Sequence, residues 1–317
     1  MLKIGVLGAG NLAKIHIQLI QELKDQFELV GFYDPEDTLA SEMEEAFKVK
    51  RFLMYEELVE QVDCIDIVTL VDRHYELAAL ALRKSKHIFI EKPITQTVDE
   101  AKSLLNLSRE ASVKVQVGSI KRFNPAFSAS LPFFSRPKLI ESRHLIQFSN
   151  KSADTFSVMD LMMNDIDVVL CLVRSGVKRI SATGASVFSN ALDIVNARIE
   201  FDNGCVALLT AGRIVEKNRN DLHVYQKDSC INVNFLSNKM DIVRKGQMEN
   251  TFNALISGKP KIEDKNPIKE ELKSFYDVIV NDKNPIISLE EGCDSIIISS
   301  KIAEILNQTN IVINDNN

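Results

Sequence analysis

The stretch VMDLMMNDIDVVL, residues 158–170, is apolar on nearly every side yet carries Asp160, Asn164, Asp165 and Asp167. Charged groups inside a core must pair, accept hydrogen bonds or change protonation, because burying them alone is costly. Positions 160, 164 and 167 are spaced i, i+4, i+7 and therefore share one stripe of an α-helix. Such a stripe has two uses: it ties the helix to its neighbours, or it lines a polar pocket.

A second pattern sits near the N-terminus. Gly8-Ala9-Gly10-Asn11-Leu12-Ala13 fits G-x-G-x-x-A, directly after the apolar run Leu2–Leu7 and at the opening of a helical repeat. In that context it reads as the phosphate loop of a dinucleotide site. Gly8 permits the tight turn, Gly10 lets the backbone approach a pyrophosphate, and Ala13 keeps helix and strand close. The helix start, with Asn11 and Leu12, supplies N–H donors and a positive dipole end. Asp34 ends the next strand, where an acid accepts hydrogen bonds from ribose hydroxyls and repels a 2′-phosphate. Pro35 and Glu36 follow it, with no Arg or Lys, so the expected cofactor is NAD rather than NADP.

The elements that must position these residues fall into two patterns. Residues 1–120 alternate apolar strand runs (Leu2–Leu7, Phe27–Tyr33, Cys64–Val71, His87–Glu91, Lys114–Gly118) with helical repeats (Asn11–Leu23, Asp37–Phe47, Tyr55–Val62, His74–Arg83, Val98–Ala111). That alternation predicts a doubly wound parallel sheet, a Rossmann domain over 1–120. Beyond it, strands follow one another: Leu139–Phe148, Arg179–Phe188, Ile194–Phe201, Cys205–Gly212 and Leu222–Phe235, with Asp202-Asn203-Gly204 as a hairpin turn. Residues 121–317 are thus expected to form a second α/β domain with a largely antiparallel open sheet. One helix, 157–173, is inserted in it and two, Lys269–Val280 and Leu289–Leu306, close the chain.

Composition narrows the class. The 317 residues are 45% hydrophobic and 26% charged, the range of a soluble globular protein. The net charge is −6, its acidic excess lies wholly within residues 1–120, and no basic face suited to nucleic acid stands out. No apolar run suggests a membrane span, and the N-terminus enters a strand without the layout of a signal peptide. Five scattered cysteines without Cys-x-x-Cys spacing point to reduced thiols, hence a cytoplasmic protein. His16, His87, His144 and His223 lack ligand spacing, so no metal is expected.

Glu91-Lys92-Pro93 follows the fifth strand. Together with the glycine loop, it resembles the glucose–fructose oxidoreductase / inositol dehydrogenase family of NAD(P)-dependent enzymes. Thr69-Leu-Val-Asp-Arg-His74-Tyr75 is similar to that family's Thr-Pro-x-x-x-His-Tyr segment, with Leu70 in place of proline. Gly118-Ser-Ile-Lys-Arg122-Phe-Asn-Pro125 resembles its domain junction, and Asn266-Pro-Ile-Lys-Glu-Glu271-Leu the start of a late helix. Asp160-Leu-Met-Met-Asn164-Asp165-Ile-Asp167 resembles its Asp-x-x-x-His-Asp helix, in the version found among bacterial dehydrogenases of nucleotide-linked amino sugars. The resemblance spans most of the chain. It implies a Rossmann domain followed by an open-sheet domain, with the second sheet pairing subunits into a homodimer or homotetramer.

The resemblance also implies roles. The expected reaction moves a hydride between nicotinamide and a sugar-type carbinol or ketone, with a sugar or nucleotide sugar as substrate. Lys92 is the expected acid/base: partly desolvated and beside a cationic nicotinamide, it gives up its proton more readily. Glu91, Thr69 and His74 would edge the nicotinamide end of the cofactor site. Asp160 would hold Lys92 or a sugar hydroxyl, and Arg122 and Asn124 would reach substrate. Asn164 departs from the pattern, which has histidine there; an amide hydrogen-bonds but takes up no proton near neutrality. Two classes follow. One is an active dehydrogenase in which Lys92 alone handles the proton. The other is a sensor or regulator of the same fold that binds NAD and sugar with little chemistry.

Overall fold

The computed structural model describes residues 1–148, 158–245, 255–258 and 262–314. The chain divides into two compact units, Met1–Ile120 with Asn266–Ile296, and Lys121–Lys265 with Ile297–Asn317.

The first unit is wound around a six-stranded sheet. Its strands are β1 (Leu2–Leu7), β2 (Phe27–Tyr33), β3 (Arg51–Phe52), β4 (Cys64–Ile67), β5 (His87–Ile90) and β6 (Val115–Val117), in the order β3-β2-β1-β4-β5-β6. Every pairing is parallel. The connecting helices are α1 (Asn11–Glu22), α2 (Asp37–Phe47), α3 (Tyr55–Glu60), α4 (Val71–Arg83) and α5 (Val98–Ala111). The order reverses at β1 and β4, so this is the doubly wound fold, whose ligands bind at the carboxyl ends of the strands. Local chemistry sets the boundaries. A capping box between Thr97 and Glu100 starts α5. The expected strand Cys64–Val71 stops at Ile67, because Leu70 is already the N-cap of α4 and His74 lies within that helix.

The second unit holds α6 (Pro125–Ser130), β7 (Leu139–Gln147), α7 (Val158–Val173), β8 (Val177–Ala185), β9 (Ile194–Phe201), β10 (Val206–Val215), β11 (Arg219–Gln226), β12 (Ser229–Asn234), β13 (Lys239–Lys245) and β14 (Leu255–Gly258). Its eight-stranded sheet runs β14-β13-β12-β11-β7-β10-β9-β8. Neighbours are antiparallel except β7 and β10. Strand alternation places Ile140, Val195, Ala197, Ile199, Ala207, Leu209 and Leu222 on one face, where they pack with Met162, Ile166 and Val169 of α7. Small residues on β9 and β10 leave room for that helix. The expected single strand Leu222–Phe235 is a hairpin instead, turning at Asp228, whose φ is +61°. The Asp202-Asn203-Gly204 turn joins β9 to β10, with Gly204 at φ +80°.

α8 (Pro267–Val280) corrects the expected two-part division of the chain. Its Ile268, Leu272 and Phe275 are buried in the first unit's core with Ile4, Phe27 and Phe89, although a single cut after residue 120 would assign them to the second. The chain returns because the α8 stripe fits that core, a relation that no linear reading displays. The last helix, α9 (Leu289–Asn314), begins in the first unit and contributes Ile298, Ile302 and Leu306 to the second unit's core. Among the described residues no helix is long and apolar enough to cross a membrane.

Phe275 is fully buried, with its ring edge-on to Phe89 at 5.8 Å between centroids. Phe275→Ala is expected to cost about 3–5 kcal/mol, read by urea unfolding followed by a probe on residues 1–120. A loss confined to probes on residues 121–265 would contradict the assignment of α8.

Candidate active site

The glycine loop has the geometry that its spacing predicts. Gly8 adopts φ +126°, and a Cβ there would lie 2.8 Å from the carbonyl oxygen of Val68, so only glycine fits. Around Gly10 the position of a Cβ meets nothing within 4 Å, which leaves the approach to the helix start open. No side chain caps α1 and no acid occupies its first turn, so the N–H groups at Asn11 and Leu12 are left for an anion. The Asp34 carboxylate accepts the Ala9 N–H at 2.7 Å and the Glu36 N–H at 2.8 Å, fixing the loop against the end of β2. These residues fit a dinucleotide: open volume, free amides and an acid at the ribose end. Arg51, which the sequence did not single out, donates to the Asp34 carbonyl at 3.0 Å and to Asp37 at 2.7 Å. It arrives on β3, paired to β2, and nothing in the spacing announces it.

The ends of β4, β5 and β6 carry the other candidates of this unit. Thr69 turns its hydroxyl to the Leu70 carbonyl. His74 is buried and braces this turn, with Nδ1 2.8 Å from the Pro93 carbonyl and Nε2 3.1 Å from that of Thr69. Burial lowers its pKa despite those carbonyls, so the ring is neutral and its one N–H serves one of the two contacts. The Lys92–Pro93 bond is cis. Lys92 is partly exposed, and its ammonium donates to the Ser119 hydroxyl at 3.0 Å.

Around this turn lies a buried charged cluster drawn from four elements. His16 of α1 meets Asp66 of β4 at 2.8 Å and Glu91 at 3.5 Å. The Glu91 carboxyl lies flat on Gly118: a Cβ there would come within 2.6 Å of it. Glu271 of α8 accepts the Ser119 N–H at 2.7 Å, and its own carbonyl accepts from Gln116 at 2.9 Å. Burial opposes charge on His16, but Asp66 and then Glu91 outweigh it, and its pKa rises to about 10. Burial pushes Asp66 up, with His16 opposing. Burial, reinforced by Glu91, pushes the Glu271 carboxyl well up. Only Glu91 of this group was legible as a site residue. His16 could have been flagged, since it shares the buried stripe of α1 with Ala13, Ile17 and Ile20. Among the described residues no group of three or more His, Cys, Asp or Glu is arranged to hold a metal ion.

In the second unit the polar residues of α7 take different tasks. Asp165 is buried against Lys121 at 2.6 Å, accepts the Ser142 hydroxyl, and faces His144 at 3.5 Å. Burial raises its pKa, but Lys121 and His144 outweigh that and hold it near 2. Asp167 is buried beside Arg122 at 3.4 Å. Asp160 and Asn164 stay partly exposed on one stripe, the Asn164 amide 3.4 Å from the Asp160 carbonyl.

One further expectation changes. Asn124 caps α6 through Ala126, and its amide donates to the Phe235 carbonyl at 3.2 Å and to Asn238 at 2.8 Å. With every polar atom engaged and the residue buried, it positions the chain rather than offering itself to substrate. Arg213 is buried against Asp193 at 3.0 Å. Burial raises Asp193, but the N–H groups of Phe188, Val187 and Ser189 and the Ser189 hydroxyl outweigh it and hold the carboxyl low. That network is structural.

Residues 2–119 match the model of an oxidoreductase family with an NAD-binding Rossmann fold. It is 29% identical over 246 residues to the UDP-N-acetylglucosamine 3-dehydrogenase of Acidithiobacillus ferrooxidans, covering 77% of this chain and 78% of the relative. The structure of that enzyme superposes with a TM-score of 0.90 at 25% identity, over 96% of this chain and 97% of the other. The scyllo-inositol dehydrogenase of Lactobacillus casei, solved with NAD(H) and scyllo-inositol, shares the fold at a TM-score of 0.81, 18% identity and 98% of each chain.

Two stability outcomes follow from the buried charges. Lys121→Ala leaves the Asp165 carboxylate buried without its cation, at an expected cost of about 3–5 kcal/mol; a chemical-denaturation midpoint unchanged from the native protein would contradict this. The folded-state pKa of His16 lies above its ordinary 6.5. Its contribution is therefore full below about pH 6.5 and is lost as pH rises through about 10. Asp165, held low, contributes above about pH 4 and loses its contribution as pH falls toward 2. Comparing His16→Gln and Asp165→Asn with the native protein across pH separates the two limbs, which fall on opposite sides of neutrality.

Proposed function

We propose that the chain is an NAD-dependent dehydrogenase of a sugar carbinol, its substrate class a nucleotide-linked sugar of the amino-sugar type. The observation that carries this reading is Lys92, a partly exposed ammonium at the carboxyl end of β5, hydrogen-bonded to Ser119 on the neighbouring strand end. Bound NAD would accept the hydride from the carbinol carbon. Gly8, Gly10, Asn11 and Leu12 would hold its pyrophosphate, and Asp34 its adenosine ribose. Glu91, Thr69 and His74 shape the turns from which the nicotinamide end is approached.

Lys92, neutral, takes the proton of the reacting hydroxyl; protonated, it returns it to the ketone in the reverse direction. Asp160 and Asn164, the two polar residues of α7 that remain partly exposed, bind sugar hydroxyls, and Asn164 holds its hydroxyl without moving a proton. Arg122 acts through Asp167 to fix that helix. The family likeness to a dehydrogenase of UDP-N-acetylglucosamine supports the substrate class.

Asn164 favours a second reading, a sensor that binds NAD and a sugar without turnover. The test that separates the two is a panel of nucleotide sugars, free sugars and cyclic polyols scored for NAD reduction and, in parallel, for binding. Turnover with a nucleotide sugar supports the dehydrogenase; binding without reduction across the whole panel supports the sensor. With the substrate so found, Lys92→Ala lowers kcat by about 10²–10⁴ while NADH affinity stays within a few-fold. Full activity in that variant would refute the role given to Lys92.

Cofactor choice is tested separately. NADH binds more tightly than NADPH, because Asp34 meets a 2′-phosphate with like charge. Asp34→Ala narrows the gap in fluorescence titrations. An unmodified protein that prefers NADPH contradicts the assignment.

A further inference from the structure

The reaction proposed above uses Lys92, yet Glu271, a fully buried acid of the first unit, has no part in it. Its position is unusual for an acid without a task. It is fully buried, and one oxygen accepts the Ser119 N–H at 2.7 Å. The same Ser119 receives the Lys92 ammonium on its hydroxyl at 3.0 Å. The other oxygen of Glu271 is buried without a hydrogen-bond partner among the described residues, and Oε1 of Glu91 faces Nε2 of His16 at 3.5 Å. Glu91 is bonded to the Lys92 N–H through its second oxygen at 3.3 Å, and its carboxyl packs on Gly118, the residue before Ser119. Two acids thus bracket the Gly118–Ser119 pair, Glu91 bonded directly to Lys92 and Glu271 reaching it through Ser119.

We infer that Glu271 is a positioning residue for Lys92: through Ser119 it fixes the acceptor of the ammonium group, and together with Glu91 it forms a buried acid pair whose proton follows the charge on Lys92. Like charges in one low-dielectric site resist ionising together, so a pair of this kind keeps a proton on one member. When Lys92 carries its proton, a neighbouring anion is favoured; when Lys92 is neutral, the pair holds its own proton more firmly. The groups facing Glu271 are Glu91 and Lys92 from the end of β5, His16 of α1 with Asp66 of β4 behind it, and Gln116 and Ser119 from β6 and its end. The upward pull of burial and of Glu91 on Glu271 agrees with this arrangement. The cluster draws one member from α8, in the segment that returns to the first unit after residue 265.

The inference rests on the Proposed function only for its consequence in turnover, so the experiment has a readout that needs no substrate. The rate at which an amine-reactive acylating reagent labels Lys92 is followed by mass spectrometry across pH in the native protein, Glu271→Gln and Glu271→Ala. Glutamine keeps an acceptor for Ser119 but cannot become an anion, so the labelling limb of Lys92 moves about one unit to lower pH. Glu271→Ala loses the Ser119 contact as well. With a substrate in hand, it lowers kcat about tenfold or more at unchanged NADH affinity, and glutamine recovers most of that loss at neutral pH. Thermal unfolding of each variant confirms that it is folded. A labelling limb that stays at the native pH in Glu271→Gln overturns the inference, as does an equal loss of kcat in the two variants. Failure of the sugar panel with a shifted labelling limb would instead refute the dehydrogenase reading and leave the positioning of Lys92 standing.

Discussion

The first unit is organised around the charge on His16. An imidazolium buried between Asp66 and Glu91 compensates two carboxylates that the core would otherwise not tolerate. Once His16 is charged, Glu91 can lie against the backbone of Gly118, and β5 and β6 can end side by side with Lys92 and Ser119 at their tips. The glycine at 118 is demanded by that contact and not by its backbone angle. The ordinary features of the fold, the parallel strands and the phosphate turn, supply the frame. The buried charges supply the one orientation that matters.

The second unit solves a related problem on α7 by dividing labour among four polar residues. Asp165 and Asp167 are spent inside, on Lys121 and Arg122, two adjacent residues just after the boundary at Ile120. Buried ion pairs add little net stability but penalise every arrangement that separates them. They therefore fix the rotation of the helix, and with it which stripe remains accessible. Asp160 and Asn164 are left at the surface of the helix as a consequence. The apolar remainder, Met162, Ile166 and Val169, packs on the small residues of β9 and β10.

Much of this was legible in the chain itself, and what was not has physical causes. The parallel unit could be read because each buried strand is a short apolar run and each helix has a periodic face. The loop from Gly8 to Ala13 could be read because its glycines answer to backbone geometry, which spacing encodes directly. The stripe on α7 could be read as polar, but which member pairs with what depends on Lys121 and Arg122, whose partners lie some 44 and 45 residues away. Glu271 was quoted only as part of a helix start, since its burial depends on a return of the chain that no local pattern announces. Asn124 looked available for substrate; its side-chain amide is taken up by Phe235 and Asn238, 111 and 114 residues along the chain. Long-range pairing, not local propensity, decides these cases.

The central claim is that this scaffold moves a hydride from a sugar carbon while Lys92 handles the proton. It is tested most directly with a nucleotide sugar deuterated at the carbon bearing the reacting hydroxyl, mixed with the protein and NAD in a single turnover. The account predicts that reduced nicotinamide forms and carries the deuterium. A sugar that binds beside NAD but leaves the nicotinamide oxidised, with all the label still on its own carbon, would contradict it.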